Sequence, residues 1–518
     1  MERRHSRRGL LGTAAAVGFG ALCGCLGDES TAQQQDDEGW EVTVGPPRDP
    51  TGDSWDTAYG GVMPYYTRIL EPLVWTSEEM TPKPWLATDW EAVDETTWEF
   101  TLREEVQFHN GEPLTAEAVV WSFKHLFETE GSYVEGWLHL RPEGIEAVDD
   151  RTVSFTNTDP FPTFPGTIAH NMVAIQHPET GHGADVIATG PLRVERYDRT
   201  QQIRTVPFEA YWGERPAVDA LTFKTVDDPN TRTLSLESGE LDVAFDPPRS
   251  QLESLAADDS IRLERTTGTE TTFVAVNLHR SPTDDPDLRR ALNYAVSQEE
   301  LIDSILEGVG SPARGPFSPT IDWGVVDPLP SYEQDRARAR DLVADSAYDG
   351  EELRLATYST LVDGRQLAEA LQGAFADIGV TVAVNIIDES SFWDVTFSGE
   401  THLNLLQLGS NSVAADFRMF DSFHSEGQNN VRLFEEHGTG LYNLGGEVDD
   451  LIEQGYQTSD PETKADAYRE AQIAMAEAAI TVPISYDEYV VATDADLTGI
   501  DLVAIDTMVE WADLRRAE

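Results

Sequence analysis

Residues 98–116 run Trp98-Glu-Phe-Thr-Leu-Arg-Glu-Glu-Val-Gln-Phe-His-Asn-Gly-Glu-Pro-Leu-Thr-Ala116. From Thr97 to Arg103 polar and apolar residues alternate with period two, the pattern of a half-buried strand. Gly111-Glu-Pro113 reads as a turn. Thr115 then opens a segment to Leu126 whose apolar residues recur at helical spacing, with Thr115 itself as the N-cap. Two blocks precede this stretch, Glu71-Pro-Leu73 and Pro84-Trp-Leu-Ala-Thr-Asp-Trp90. Trp85, Trp90, Trp98, Phe100 and Phe108 are expected in the core, because large aromatic rings gain most from leaving water.

The same mixture of strand and helix signals continues to the C-terminus. Asp287 to Glu307 reads as two helices, with Leu288, Ala291, Leu292, Ala295 and Val296 along one face. Glu352-Leu-Arg-Leu-Ala-Thr357 is a strand, Val362 to Ile378 an amphipathic helix, and the run from Gly379 a second strand. Strand–helix–strand over 352–387 suits a crossover in a partly parallel sheet. Tyr358 and Thr360 then stand just past the end of its first strand, where such sheets place ligands. Leu403 to Leu408 is apolar and extended. Asp460-Pro-Glu462 starts a long helix to Glu477, and Val482-Pro-Ile-Ser-Tyr486 follows as extended chain. The fold class is α/β, without a short-period repeat.

Asp and Glu number 94 against 36 Lys and Arg, a net charge of −58, spread along the whole chain. Such a surface repels a phosphate backbone, so nucleic acid is excluded as a partner. Lys occurs only at positions 83, 124, 224 and 464. The composition resembles that of proteins from extreme halophiles, where dense salt screens the repulsion. Hydrophobic residues still make up 40%, which excludes a disordered chain. Cys23 and Cys25 are the two cysteines, so the body offers no disulfide framework, zinc site or thiol nucleophile.

The first residues read as an address. A basic start is followed by a mild apolar run, Leu11 to Leu22, too short to span a membrane. Ser6-Arg7-Arg8-Gly9-Leu10-Leu11 resembles a twin-arginine export pattern, and Leu22-Cys23-Gly24-Cys25 resembles a lipobox with Cys25 as the acylated residue. Residues 1–24 form the expected signal and 25–39 an acidic, flexible tether. The expected location is the outer face of the cytoplasmic membrane, held there by lipid.

The block of residues 71–116 resembles solute-binding protein family 5, the binding components of oligopeptide, dipeptide and nickel importers. It is similar to the family's P-x-L-A-x-x-W and L-R-x-x-V-x-F-H-x-G-x-P-x-T-A patterns. Further blocks come in family order: Thr189-Gly-Pro191, with Ala188 where Gly is usual; Glu209-Ala-Tyr-Trp-Gly213; Leu236-Glu-Ser-Gly-Glu-Leu-Asp242; Asp287 to Ala295; and Val482-Pro-Ile484. The resemblance covers nearly all of residues 40–518. It implies a two-lobed, periplasmic-binding-protein-like body of the large peptide-binding class, with mixed sheets and an interlobe cleft. The implied lobes are 40–275, with an extra subdomain, and 276–487, with 488–518 returning to the first. The chain would cross between them near Phe273–Asn277 and near Tyr486–Val490. The implied role is a monomeric, non-catalytic receptor that needs no cofactor, takes a peptide or similar small solute and hands it to an ABC permease.

Three segments are expected to line the cleft: 59–66, 266–272 preceding the crossing strand, and 408–417. They contribute Tyr59, Gly60, Tyr65, Thr269, Glu270, Leu408, Gly409, Asn411 and Asp416, joined by Tyr358 and Tyr486. Peptide-binding members usually carry Trp and then Asp in the third segment; here Leu408 takes the Trp place and Asn411 the Asp place. An amide does not neutralise an ammonium group as a carboxylate does. His402 and His424 flank this loop and are read as structural. The competing class is a secreted hydrolase, but G-x-S-x-G and H-E-x-x-H are absent, and chance carboxylate pairs among 94 acids carry no information. A sensory receptor on the same fold is the other alternative.

Overall fold

A computed structural model of the chain describes residues 40–47, 49–51, 57, 66–77, 80–129, 134, 138–181, 183–410, 413–427, 444–505 and 508–516. The signal, Cys25 and the tether lie outside the described residues, as do Tyr59, Gly60, Tyr65 and Asn411. Among the described residues no helix is long and apolar enough to cross a membrane.

The opening motif folds as its pattern predicts. Its strand, Thr97–Leu102, lies in a four-stranded antiparallel sheet with Ala87–Ala92, Leu140–Ala147 and Thr152–Asn157. The helix α1, Ala116–Glu128, begins at Thr115, whose hydroxyl accepts the Ala118 N–H. Gly111 turns with φ +89°, a conformation that glycine adopts without strain. Phe100 and Phe108 are fully buried, while Trp85, Trp90 and Trp98 pack against the same core with one edge in water.

The second, larger sheet organises the rest. Its strands are β1 (Glu41–Gly45), β2 (Leu192–Asp198), β3 (Gln202–Pro207), β4 (Ala220–Lys224), β5 (Val243–Phe245), β6 (Ile261–Val276), β7 (Leu353–Tyr358), β8 (Val382–Ile387), β9 (Leu403–Leu408) and β10 (Thr481–Asp494). In space they run β8-β7-β9-β6-β10-β5-β1-β4-β3-β2, and Ser311–Pro312 adds a short pairing with β10. The parallel pair β7–β8 is joined by helix α2, Gly364–Asp377, as the crossover reading requires.

Alternation along the strands separates two apolar layers. Val274, Val276, Leu353, Leu355, Leu403 and Leu405 face a core with α2 and with the helices Pro286–Ala295 and Gln298–Ser304. Phe273, Ala275, Ala356 and Leu406 face the opposite core, with α3 (Glu389–Phe397), α4 (Asp416–Phe423), α5 (Gly446–Gln457) and α6 (Pro461–Glu477). The far end of the sheet, around β1, β4 and β5, packs on the C-terminal residues Leu497, Ile500, Val509, Trp511 and Leu514.

One expectation needs correction. Residues 266–272 do not precede a crossing strand; they lie inside β6, which pairs with β10 for most of its length. The threonine-rich run is β-branched and suits a strand. The pairing register slips between Thr267 and Thr271 and again between Thr272 and Phe273, so the segment is an irregularity within a long strand.

Candidate ligand-binding site

Strand directions define where this site lies. β5 ends at Phe245, opposite Val491 of β10, and heads toward the middle of β10. β9 ends at Leu408, opposite Thr271 of β6, and β7 runs parallel to β9. The C-terminal ends of strands from the two parts of the sheet therefore point at one another over the irregular stretch of β6 and β10. Strand ends converging at a topological switch are where α/β sheets hold ligands.

The irregular stretch is tied down by short polar contacts. The Thr269 hydroxyl donates to the Ser410 carbonyl (2.9 Å) and accepts the Ser410 N–H (3.1 Å), fixing β6 to the chain beyond β9. The Thr269 N–H donates to the Ala504 carbonyl at 2.8 Å. Gly268 lies under the Tyr489 ring, where a Cβ would come within 2.4 Å of it. Gly409 is equally constrained: a Cβ there would stand 2.3 Å from Glu270 Cγ. Thr269, Glu270, Leu408 and Gly409 are thus brought together. Tyr358 and Leu408 both reach the layer containing α3, with the Tyr358 ring 4.9 Å from that of Phe392.

Two expected contacts are committed elsewhere. Asp416 is buried, with Lys464 Nζ 3.0 Å from its Oδ1 and the Tyr468 hydroxyl donating to the same oxygen at 3.0 Å. Tyr486 is buried opposite Thr271, and its hydroxyl accepts the Arg314 N–H at 3.1 Å. Both thus have partners within the protein itself. His402 and His424 are also buried. His402 Nδ1 lies 3.0 Å from the Arg354 backbone nitrogen and Nε2 lies 3.1 Å from Arg280 Nε, of which a neutral ring accepts one, and burial, helped by Arg280, lowers its pKa to about 4.

Sequence reasoning missed a buried polar cluster where β6, β9 and β10 pair. Asp487 is fully buried. Its Oδ2 accepts from Thr272 (2.8 Å) and Gln407 (2.9 Å), and its Oδ1 accepts from Ser485 (2.5 Å). One carboxylate thus joins β6, β9 and β10. Burial raises its pKa, against the three hydrogen bonds. Nearby, Arg249, just beyond β5, lies 3.5 Å from Asp363 at the start of α2. The signal in the sequence was Gln407 within an apolar strand, but one more aspartate in so acidic a chain gave none.

A third feature is Arg418, in the first turn of α4. Its Nε donates to the Gly409 carbonyl at 3.1 Å, and its guanidinium lies 5.0 Å over the Phe417 ring. Across from it, His170 faces Phe417 edge-on, and burial, reinforced by Arg418, holds its pKa at about 3.

Comparison with known proteins identifies the family and the fold. Residues 81–430 match "Bacterial extracellular solute-binding proteins, family 5 Middle". The glutathione-binding protein GsiB of Salmonella paratyphi A is 26% identical over 419 residues, covering 78% of this chain and 80% of its own. The dipeptide-binding protein of Escherichia coli K12 is 26% identical over 462 residues, covering 82% and 84%. Among solved structures, the periplasmic binding protein DppA of Helicobacter pylori, in complex with the peptide STSA, superposes with TM-score 0.79 at 21% identity. It covers 93% of this chain and 99% of its own. NikA of Staphylococcus aureus, in complex with Ni(L-His)2, gives TM-score 0.78 at 19% identity over 92% and 100%. The fold is therefore the mixed α/β periplasmic-binding-protein fold, and the chain belongs to the extracellular solute-binding proteins of family 5.

Proposed function

We propose that this non-catalytic, extracytoplasmic receptor of an ABC importer takes a peptide or similar small polar solute into the gap over the β6–β10 crossing and hands it to its permease. The observation that carries the reading is the convergence of strand ends from both parts of the large sheet on one polar, glycine-lined zone, in a family 5 chain. Relatives named for glutathione, dipeptides and nickel set the range of cargo to be tried. The lobes assigned to 40–275 and 276–487, with 488–518 returning, would close on the solute, giving the permease a closed form to recognise. Twin-arginine export, acylation at Cys25 and the tether 25–39 would keep the receptor beside its permease. The charge of −58 suits a surface that works in dense salt.

The test is to purify the protein in molar salt, denature it and identify the released molecules by mass spectrometry, with thermal-shift screening of peptides, glutathione and nickel–histidine alongside. A stoichiometric small solute, or a probe that raises the melting midpoint, is expected. A protein that arrives empty and responds to no probe refutes the reading.

A further inference from the structure

The converging strand ends carry an ion pair between segments far apart in the sequence. Arg249 stands just past the end of β5, and Asp363 just past the end of β7, at the start of α2. Arg249 Nε lies 3.5 Å from Asp363 Oδ2, and the two side chains are 15% and 22% exposed. Among the described residues it is the one ion pair that joins 40–275 to 276–487. Its shielding decides whether such a contact counts. In molar salt the Debye length is about 3 Å, so the exposed charges of this acidic surface hardly feel one another. A pair close to contact and largely out of water still attracts.

Each side chain is set in place by its own part of the sheet. Arg249 opens a short turn after Pro247-Pro248, braced by the Gln251 N–H on the Pro248 carbonyl (2.9 Å) and by the Gln251 side-chain amide on Asn230 (2.9 Å). Leu252 and Leu255 then bury the helix that follows. Asp363 is diverted from the usual duty of an aspartate at a helix start. Asp228, Asp285, Asp335 and Asp460 each accept a backbone N–H there. The Asp363 side chain makes no such bond; its backbone is left-handed, φ +54°, and its carboxylate faces Arg249 instead. Backbone strain of this kind clusters at clamps and switches. Burial raises the Asp363 pKa, Arg249 opposes that rise and Glu307 adds to it, so Arg249 is the cation that favours the charged carboxylate.

We propose that Arg249 and Asp363 form a clasp that holds the two lobes shut over the solute, so that breaking this pair sets how fast the solute leaves. This rests on the solute-binding reading and the lobe assignment above. The test is a double-mutant cycle of Arg249→Gln and Asp363→Asn, since asparagine tolerates the left-handed backbone. Affinity by calorimetry and release by stopped flow are measured in molar salt with Met-Leu, Ser-Thr-Ser-Ala, glutathione and nickel–histidine. Each single variant is expected to release its probe about two- to tenfold faster and to lose affinity in step, with the double variant no worse than the singles. The melting midpoint of the solute-free protein, in which the clasp is open, is expected to stay put. The proposal is overturned if the two losses multiply in the double variant, if the variants hold and release probes as the wild type does, or if the solute-free protein is destabilised as much as the loaded one. Failure of the underlying reading has its own signature, a wild-type protein that carries no solute and binds none of the four probes; that result removes this assignment with it.

Discussion

Replacing Asp487 tests whether the junction of β6, β9 and β10 is held by a buried polar network. Three donors, on Thr272, Gln407 and Ser485, converge on this one carboxylate. Asp487→Ala removes the acceptor and strands all three in a dry interior. Each orphaned donor costs about 1–3 kcal/mol, partly offset because no carboxylate is left to desolvate, for a net loss of roughly 3–5 kcal/mol. In a chain of this size that lowers the melting midpoint by roughly 3–5 °C. Asp487→Asn is the sharper probe. Its carbonyl oxygen can keep the Thr272 and Gln407 bonds while its amide donates to a rotated Ser485 hydroxyl, so the loss is about 1 kcal/mol. The pH dependence has a definite sign. Burial raises the pKa in the folded state, so this carboxyl's contribution is complete below the unfolded value, about 3.9, and is lost as pH rises through the folded value. The deficit of Asp487→Asn against wild type is therefore largest near pH 4 and shrinks toward neutrality. Thermal unfolding at fixed molar salt from pH 4 to 8 reads all of this. An alanine variant within about 1 kcal/mol of wild type, or an asparagine variant as damaged as alanine, refutes the reasoning.

Other outcomes follow from the same contacts. Lys464→Met leaves Asp416 buried without its cation and should cost roughly 3–5 kcal/mol, most of it recovered by adding Asp416→Asn. Asp416→Asn alone should leave solute affinity unchanged, and a selective loss of affinity would put Asp416 in contact with the solute instead. Gly409→Ala drives a methyl into Glu270 and should cost about 1–3 kcal/mol and weaken binding, measured by melting and titration. His109 and His170 are held at pKa about 4 and about 3 by burial, so the unfolded chain takes up their protons first as pH falls. Stability is then lost as pH drops from about 6.5 toward 4, by up to about 3 kcal/mol per histidine, and His109→Gln should remove its share. A stability profile flat from pH 7 to 5 would contradict this.

Much of the architecture was legible because local rules agreed with the global fold. Thr115 caps its helix, Gly111 takes a positive φ, and the period-two run at 97–102 is a strand, so short-range signals were sufficient there. The long strands were harder. Thr266–Thr272 belongs to β6 through pairing with residues over two hundred positions away, which no local window contains. The candidate site divides the same way. Thr269, Glu270, Leu408 and Gly409 come together because β6 pairs with β9, and Gly409 follows β9 directly. The pairing of Asp416 was not legible, because the role of an acid depends on its neighbour, here Lys464 from α6. Asp487 went unseen because burial distinguishes it from the other acids, and burial is a property of the assembled sheet.

The place of β10 has a consequence for how the chain is made. It lies between β6 and β5, so among the described strands it alone joins β8-β7-β9-β6 to β5-β1-β4-β3-β2. Yet it is the last long strand synthesised. As the polypeptide leaves the ribosome, the edges of β5 and β6 wait for a partner that is some two hundred residues from β6 in the sequence. Two open edges on a nascent chain invite mispairing, and pairing across such a separation is slow. Completion of the body is thus deferred until β10 has emerged. A truncation before Thr481 would damage both parts of the sheet together, and any machinery that accepts only finished protein would have to wait for that strand.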